Sequence, residues 1–165
     1  MAEFSGRKTR IESLRAVLER DSLRRGVPHA LGVHLISLTR KKVVAEMRIT
    51  PMHVNRYGRI GGGAIMAFAD VLGAMGTVIN LPAGHRTTTL ESKTNFLAGG
   101  TGPVLKAVSI PLHIGRTTMV WQTTVRNPDG RAVAIVTQTQ IVIPTQADVT
   151  SMSPTPATRK SKRRK

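Results

Sequence analysis

Residues 55–79 read NRYGRIGGGAIMAFADVLGAMGTVI, and the fold turns on how this stretch is placed. Three consecutive glycines, Gly61, Gly62 and Gly63, run into an apolar segment from Ala64 to Ile79. Pro82-Ala83-Gly84 follows, as Pro and Gly do after a helix end. The spacing predicts a helix over 64–79. It is apolar nearly all round, so it should be buried. Its Ala and Gly residues allow the backbone to sit close to a neighbouring surface. Asp70 is its single charge. An isolated carboxylate is costly to bury, so Asp70 must be paired, hydrogen-bonded or near water. It could equally be a structural Asp, capping a loop or bridged to an Arg.

Strand patterns flank this helix. Residues 31–38 (LGVHLISL) and 43–49 (VVAEMRI) predict two strands joined by an Arg40-Lys41-Lys42 turn. Four longer strands are expected after the helix, at roughly 87–96, 104–113, 116–126 and 131–143. Asn127-Pro128-Asp129-Gly130 gives a strong turn between the last two. Connections of hairpin length make this half of the sheet antiparallel. The class is α+β, with one central helix wrapped by an antiparallel sheet.

The ends differ from the middle. In residues 1–26, Ile11, Leu14, Val17 and Leu18 stand at helical spacing and predict a short amphipathic helix. Residues 145–165 are Ser/Thr/Pro-rich and then basic, which predicts a disordered tail. The three segments are therefore an N-terminal extension (1–26), one folded domain (27–144) and a tail (145–165). The N-terminus has no apolar signal-peptide core, and no apolar run approaches the ~20 residues of a membrane span. A cytoplasmic location is expected.

The chain of 165 residues carries a net charge of +16 and is 40% apolar. Twelve Lys/Arg against four acids fall within 27–144. Such a surface concentrates anions, whether nucleic acid or a phosphorylated cofactor such as coenzyme A. No nucleic-acid reading motif is present, and base-stacking aromatics are scarce: one Trp, one Tyr and three Phe. Only non-specific contact by the tail is expected there. Without cysteine, disulfides, thiolate metal sites and a cysteine nucleophile are excluded. His29, His34, His85 and His113 show no metal-ligand spacing, so no metal is expected.

The glycines ahead of Asp70 supply what an acyl-transfer site needs. A helix start without side chains exposes free N–H groups that suit an anion or a developing oxyanion. Asp70 lies two turns further on. Together they offer polarising donors and a carboxylate, with no Ser–His pair required.

Asn55-x-x-Gly58-x-x-Gly61-Gly62-Gly63, with Asp70 seven residues after the last Gly, resembles the hotdog-fold acyl-CoA thioesterases of the phenylacetate-degradation (PaaI) type. Thr89-Leu-Glu91-Ser-Lys93-Thr-Asn95-Phe96-Leu97 resembles the strand after the helix. His113-Ile-Gly115-Arg116 resembles the next turn, and Asp129-Gly130-Arg131 the last hairpin. The resemblance spans residues 30–143 and implies a homodimer with a continuous sheet, often paired into a homotetramer, with active sites between subunits. It implies that Gly62 offers its N–H to the thioester carbonyl and that Asn55 helps place carbonyl or water. Asp70 of the facing subunit would be general base or nucleophile, and Thr89 would orient the water. Coenzyme A enters only as part of the substrate, and no other cofactor is implied. Candidate contacts to substrate and its phosphates are Gly61, Gly63, Arg116, Lys93, Arg56 and Arg59. Gly61 replaces the usual His of the pattern. That tunes polarisation and weakens any hydratase reading, and it admits a non-catalytic acyl-CoA binder as the alternative. His53 lies near the loop, with packing as its simpler role. Glu91, two residues after Thr89, is expected on the same strand face. Trp121 and Phe96 are expected in core or interface. The acyl group itself is not legible.

Overall fold

The computed structural model describes residues 12–18 and 23–145. The rest of the expected N-terminal helix and the tail from 146 onward lie outside the described residues. Residues 12–17 are helical, with Leu14 packed on the core and Leu18 buried. A short helix, α1 (Gly26–Ala30), leads into the sheet.

Alternating β-branched and apolar residues build six strands: β1 (Val33–Thr39), β2 (Lys42–Arg48), β3 (His85–Phe96), β4 (Val104–Ile114), β5 (Thr118–Arg126) and β6 (Ala132–Pro144). They form one sheet in the order β1-β2-β4-β5-β6-β3. Every adjacent pair is antiparallel. The 127–130 turn forms as expected. The Gly130 N–H donates to the Asn127 carbonyl (2.9 Å), and Gly130 takes φ +87°. The central helix, α2 (Gly62–Val78), has 17 residues and touches all six strands. This is the hotdog arrangement.

Two glycines set how deeply α2 sits. A Cβ built on Gly76 would lie 2.6 Å from the Trp121 ring, and one on Gly73 would lie 2.3 Å from Gln138 Cδ. Trp121, fully buried on β5, fills the space that Gly76 leaves. The core is the layer between this helix face and the sheet.

The expectation of a helix buried all round is corrected. One sheet covers one helix face, on which Ile65, Phe68, Ala69, Leu72, Met75 and Gly76 are buried. On the other face Met66 is exposed, and Ala67, Asp70, Val71, Ala74 and Val78 are only half-buried. Leu18, Val27 and Pro28 cover part of that face. No helix among the described residues is long and apolar enough to cross a membrane.

Candidate active site

Asp70 projects from the half-buried face of α2, two turns past its start. Its carboxylate meets neutral donors. Thr89 Oγ1 donates to Asp70 Oδ1 at 2.8 Å, and Gln138 Nε2 donates to the same oxygen at 3.2 Å. Gln138 Nε2 also donates to the Asp70 carbonyl at 3.2 Å. Behind Thr89 the chain of bonds continues. Gln140 Nε2 donates to Thr89 Oγ1 at 2.7 Å, and Thr87 Oγ1 donates to Gln140 Oε1 at 3.0 Å. The Thr87 hydroxyl also lies 2.9 Å from the Ile141 carbonyl, and the Gln140 amide nitrogen faces Thr89. The Thr89 hydroxyl proton is then left for Asp70. One carboxylate oxygen is thus pinned. Among the described residues, Oδ2 has no partner and no cation pairs with Asp70. The structural alternatives of a capping or Arg-bridged Asp70 are not what forms.

Gln138 and Gln140 are fully buried, and the sequence reading missed both. They follow the parity of Ala134 and Val136 on β6, which marks them as inward. That signal was masked because Ile135, Ile141 and Ile143 on the outward parity are apolar as well. Buried amides persist where they are hydrogen-bonded, as Gln140 is at both ends of its amide.

Glu91 is a correction. A register shift between Thr89 and Glu91 makes Leu90 a bulge residue. A bulge reverses the alternation, so Ser92 turns inward and Glu91 is exposed. It does not share the face of Thr89.

The helix start is built by the preceding loop. Asn55 Oδ1 accepts from the N–H groups of Tyr57 (2.9 Å) and Arg59 (3.2 Å), and the Asn55 carbonyl accepts from Gly58 N–H (3.0 Å). Asn55 therefore shapes the loop with its side-chain oxygen, leaving only its Nδ2 toward a ligand. The Gly61 N–H donates to the His53 carbonyl at 2.7 Å. Gly61, a candidate substrate contact, is the N-cap, and its own donor is spent. Gly62 and Gly63 follow with no side-chain cap, and their N–H groups have no acceptor among the described residues. A Cβ on Gly62 would lie 2.9 Å from Phe96 Cζ, so Phe96 covers Gly62 while itself half exposed. His53 is buried, and its Nδ1 accepts from the Thr50 N–H at 3.0 Å. Its role there is packing and loop closure.

The structure brings Asp70 and Thr89 together, but it separates others. Gly62 and Asp70 are eight residues apart on one helix, a rise of about 12 Å. No single carbonyl reaches both within one chain. Arg56 lies over the Tyr57 ring, and Arg59 beside Gly99, on the loop next to the start of β4. Arg116 lies beyond the other end of β4, an 11-residue strand spanning about 35 Å. Lys93 is exposed on β3. These four cations form no common patch within one chain. Among the described residues no group of three or more His, Asp or Glu side chains converges as a metal site would require.

The model of the thioesterase superfamily matches residues 57–134, which hold the Gly-rich start, Asp70 and Thr89. ComA2 of Bacillus subtilis is 32% identical over 117 residues, covering 69% of this chain and 91% of that protein. The chain belongs to the thioesterase superfamily. Its structure is similar to that of a mutant thioesterase from Pseudomonas aeruginosa, with a TM-score of 0.70 and 26% identity over 81% of this chain and 94% of the other. It is also similar to a hypothetical thioesterase protein of Streptococcus pneumoniae solved with coenzyme A. That likeness has a TM-score of 0.62 and 26% identity, over 68% of this chain and 86% of the other. Membership of this superfamily, with relatives named esterase or thioesterase, supports a hydrolase.

Thr89→Val should lower kcat about tenfold with little change in KM, since the hydrogen bond to the Asp70 carboxylate is lost at constant volume, together with the acceptor of Gln140 Nε2. Thr89→Ser should restore most of it. Steady-state kinetics on one thioester, with thermal unfolding as control, checks this.

Proposed function

We propose that this thioesterase-superfamily chain hydrolyses an acyl-CoA thioester to the free acid and coenzyme A. The observation that carries the reading is Asp70: one oxygen is fixed by Thr89 and Gln138, Oδ2 has no partner among the described residues, and Asp70 lines an otherwise apolar cavity. A carboxylate so held can take a proton from water. The water oxygen then attacks the thioester carbon, the C–S bond breaks, and the leaving thiolate takes up a proton. Direct attack by Oδ2, followed by hydrolysis of the anhydride, reaches the same products. The Gly62 N–H is the donor for the carbonyl oxygen, and one such donor contributes ~3 kcal/mol in a transition state.

The 12 Å between Gly62 and Asp70 makes the site composite: Asp70 of one copy works with Gly62 of another. β3 suits that assembly. It is an edge strand of 12 residues with no fully buried side chain, and it exposes Leu90 at its middle, Phe96 at its end and Leu97 just beyond. Pairing two β3 edges would continue the sheet. It would also carry the loop of one copy toward the Arg116 end of the other, so that Arg56, Arg59, Lys93 and Arg116 meet the phosphates of coenzyme A from two subunits. The double variant Leu90→Lys, Leu97→Lys should shift the protein from dimer toward monomer, read by light scattering after size exclusion, with activity falling in parallel. Pairing of dimers into a tetramer is the further step that the family resemblance implies.

The test is a panel of acyl- and aryl-CoA thioesters, followed by release of free thiol, on the wild type and Asp70→Asn. Cleavage of some member, lost in the variant, supports the reading. A panel that is bound but never cleaved would favour a non-catalytic binder, which Gly61 in the usual His position keeps in view.

A further inference from the structure

Several chain segments meet at one end of the domain, and none of them carries an acid. The β1–β2 turn, Arg40-Lys41-Lys42, is tied to the C-terminal end of α2 by Asn80 Nδ2, which donates to the Arg40 carbonyl at 3.0 Å. The chain then runs through Pro82-Ala83-Gly84 into β3, where Arg86 pairs with Ile143 of β6. The Thr145 N–H donates to the Gly84 carbonyl at 2.7 Å, so β6 ends at this same place. The β4–β5 turn joins them, because the Val142 N–H donates to the Thr117 carbonyl at 2.8 Å, one residue past Arg116. Arg40, Lys41, Lys42, Arg86 and Arg116 are all exposed, and among the described residues no acid pairs with any of them. The acids of residues 27–144 stand elsewhere. Glu46 pairs with Lys106 at 3.4 Å, Asp70 lies on α2, Glu91 is midway along β3, and Asp129 sits in the turn before β6.

From this end the chain continues into residues 146–165, where Arg159, Lys160, Lys162, Arg163, Arg164 and Lys165 stand against one acid, Asp148. Asn80 to Gly84 spans at most about 14 Å, so the Arg40 turn and the root of the tail are within about 20 Å of each other. Arg159 is 14 residues past Thr145, a covalent tether of at most about 50 Å. We infer that this end of the folded domain and the tail together form a sequence-independent docking surface for the phosphate backbone of a nucleic acid duplex. A surface of cations without acids attracts a polyanion, and each phosphate it neutralises releases condensed counterions. A duplex carries one charge per about 1.7 Å of axis, dense enough to engage both groups of cations at once. No aromatic side chain stands in these segments to stack on a base, so sequence is not read. An anionic membrane fits less well. Electrostatic membrane anchors set their cations beside a spanning segment or along an amphipathic helix with an apolar face to bury. Here they lie in turns, at a strand end and in a tail whose residues 153–165 include no aromatic and no Val, Leu, Ile or Met. The inference does not depend on the hydrolase reading. It goes beyond a contact by the tail alone, because the folded domain supplies part of the surface.

The test measures binding of the full chain to a fluorescent mixed-sequence DNA duplex of about two helical turns, by anisotropy, from about 50 to about 200 mM salt. Each phosphate contact adds about −0.9 to the slope of log K against log salt. The triple variant Arg40→Gln, Lys41→Gln, Lys42→Gln should make that slope shallower by about 2–3, and Arg86→Gln by about 1. Replacing the six tail cations by Gln, with the chain kept at full length, should make it shallower by about 4–5. Arg116 is left unaltered, since it also serves the proposed contact with coenzyme A. The altered side chains of the folded part are exposed, so the melting temperature should stay at its wild-type value. A second duplex of unrelated sequence should bind within about threefold of the first. A slope unchanged in both the triple variant and Arg86→Gln would overturn the inference and leave a contact by the tail only. Displacement of the duplex by phosphatidylserine-containing vesicles, at an equal concentration of anionic charge, would overturn it in favour of a membrane surface. Absence of duplex binding at the lowest salt would overturn it outright.

Discussion

Asp70→Asn should reduce thioester hydrolysis by ~100-fold or more, the range for losing a positioned general base, and further if Asp70 is the nucleophile. The substitution is nearly isosteric. It keeps an acceptor oxygen for Thr89 Oγ1 and Gln138 Nε2, the two donors within 2.8 and 3.2 Å. The fold should therefore persist, with an unchanged circular dichroism spectrum and melting temperature. KM should move little, because an amide fills the space of the carboxylate. An equal fall in both kcat and kcat/KM would mark an interaction that matters in the transition state. Asp70→Ala is the poorer test, since it removes the acceptor of Thr89 Oγ1 and leaves Gln138 Nε2 only the main-chain carbonyl of residue 70. Activity in Asp70→Asn within a few-fold of wild type would remove Asp70 from the chemistry.

Gly76→Ala should destabilise the protein even though it improves helix propensity. In an exposed helix interior, Ala is favoured over Gly by about 1 kcal/mol. Here the added methyl would sit 2.6–2.8 Å from three atoms of the Trp121 ring. Trp121 is fully buried in a packed layer and has nowhere to turn. Overpacking of that kind costs about 1–3 kcal/mol or more and outweighs the propensity gain. A fall in melting temperature of about 3 °C or more is expected for a chain of this size. Gly63→Ala is the internal contrast. Nothing lies within 4 Å of its built Cβ, and its φ is not positive. There the propensity term acts alone, and the variant should melt slightly above wild type. Equal behaviour of the two variants would mean that α2 is not seated on Trp121 as described.

Strands and helix were legible because hydrophobic periodicity is local: β4, β5 and β6 begin and end within two residues of their expected bounds. Asp70 was legible because a single charge in an apolar helix is a local contradiction. Thr89 was reached through a family pattern as a residue that orients water; its hydrogen bond to Asp70 within the same chain was not part of that expectation. What was not legible depends on tertiary register. The bulge at Leu90 that turns Glu91 outward follows from pairing with β6, not from anything in 89–91. Gln138 and Gln140 became site residues only once the helix lay across them. The half-open face of α2 was read as buried because its composition is apolar. The same apolarity serves a cavity as well as a core. The spent N–H of Gly61 depends on where the His53 carbonyl falls, which no spacing rule supplies.

The composite site makes one claim that a mixing experiment tests most directly. Gly62→Pro removes the proposed carbonyl donor at the first helical position, where proline is well accommodated, and Gly61 already has the extended φ −64° and ψ 139° that precede proline. The Phe96 ring, half exposed, would swing aside. Gly62→Pro and Asp70→Asn should each be inactive alone. Unfolded and refolded together in equal amounts, half of the dimers would carry one intact site, and about a quarter of wild-type activity should return by random pairing. Recovery of that order, absent when either variant is refolded alone, is the predicted result. No recovery, from mixtures that form heterodimers by mass spectrometry, would contradict a site built from Asp70 of one copy and Gly62 of another.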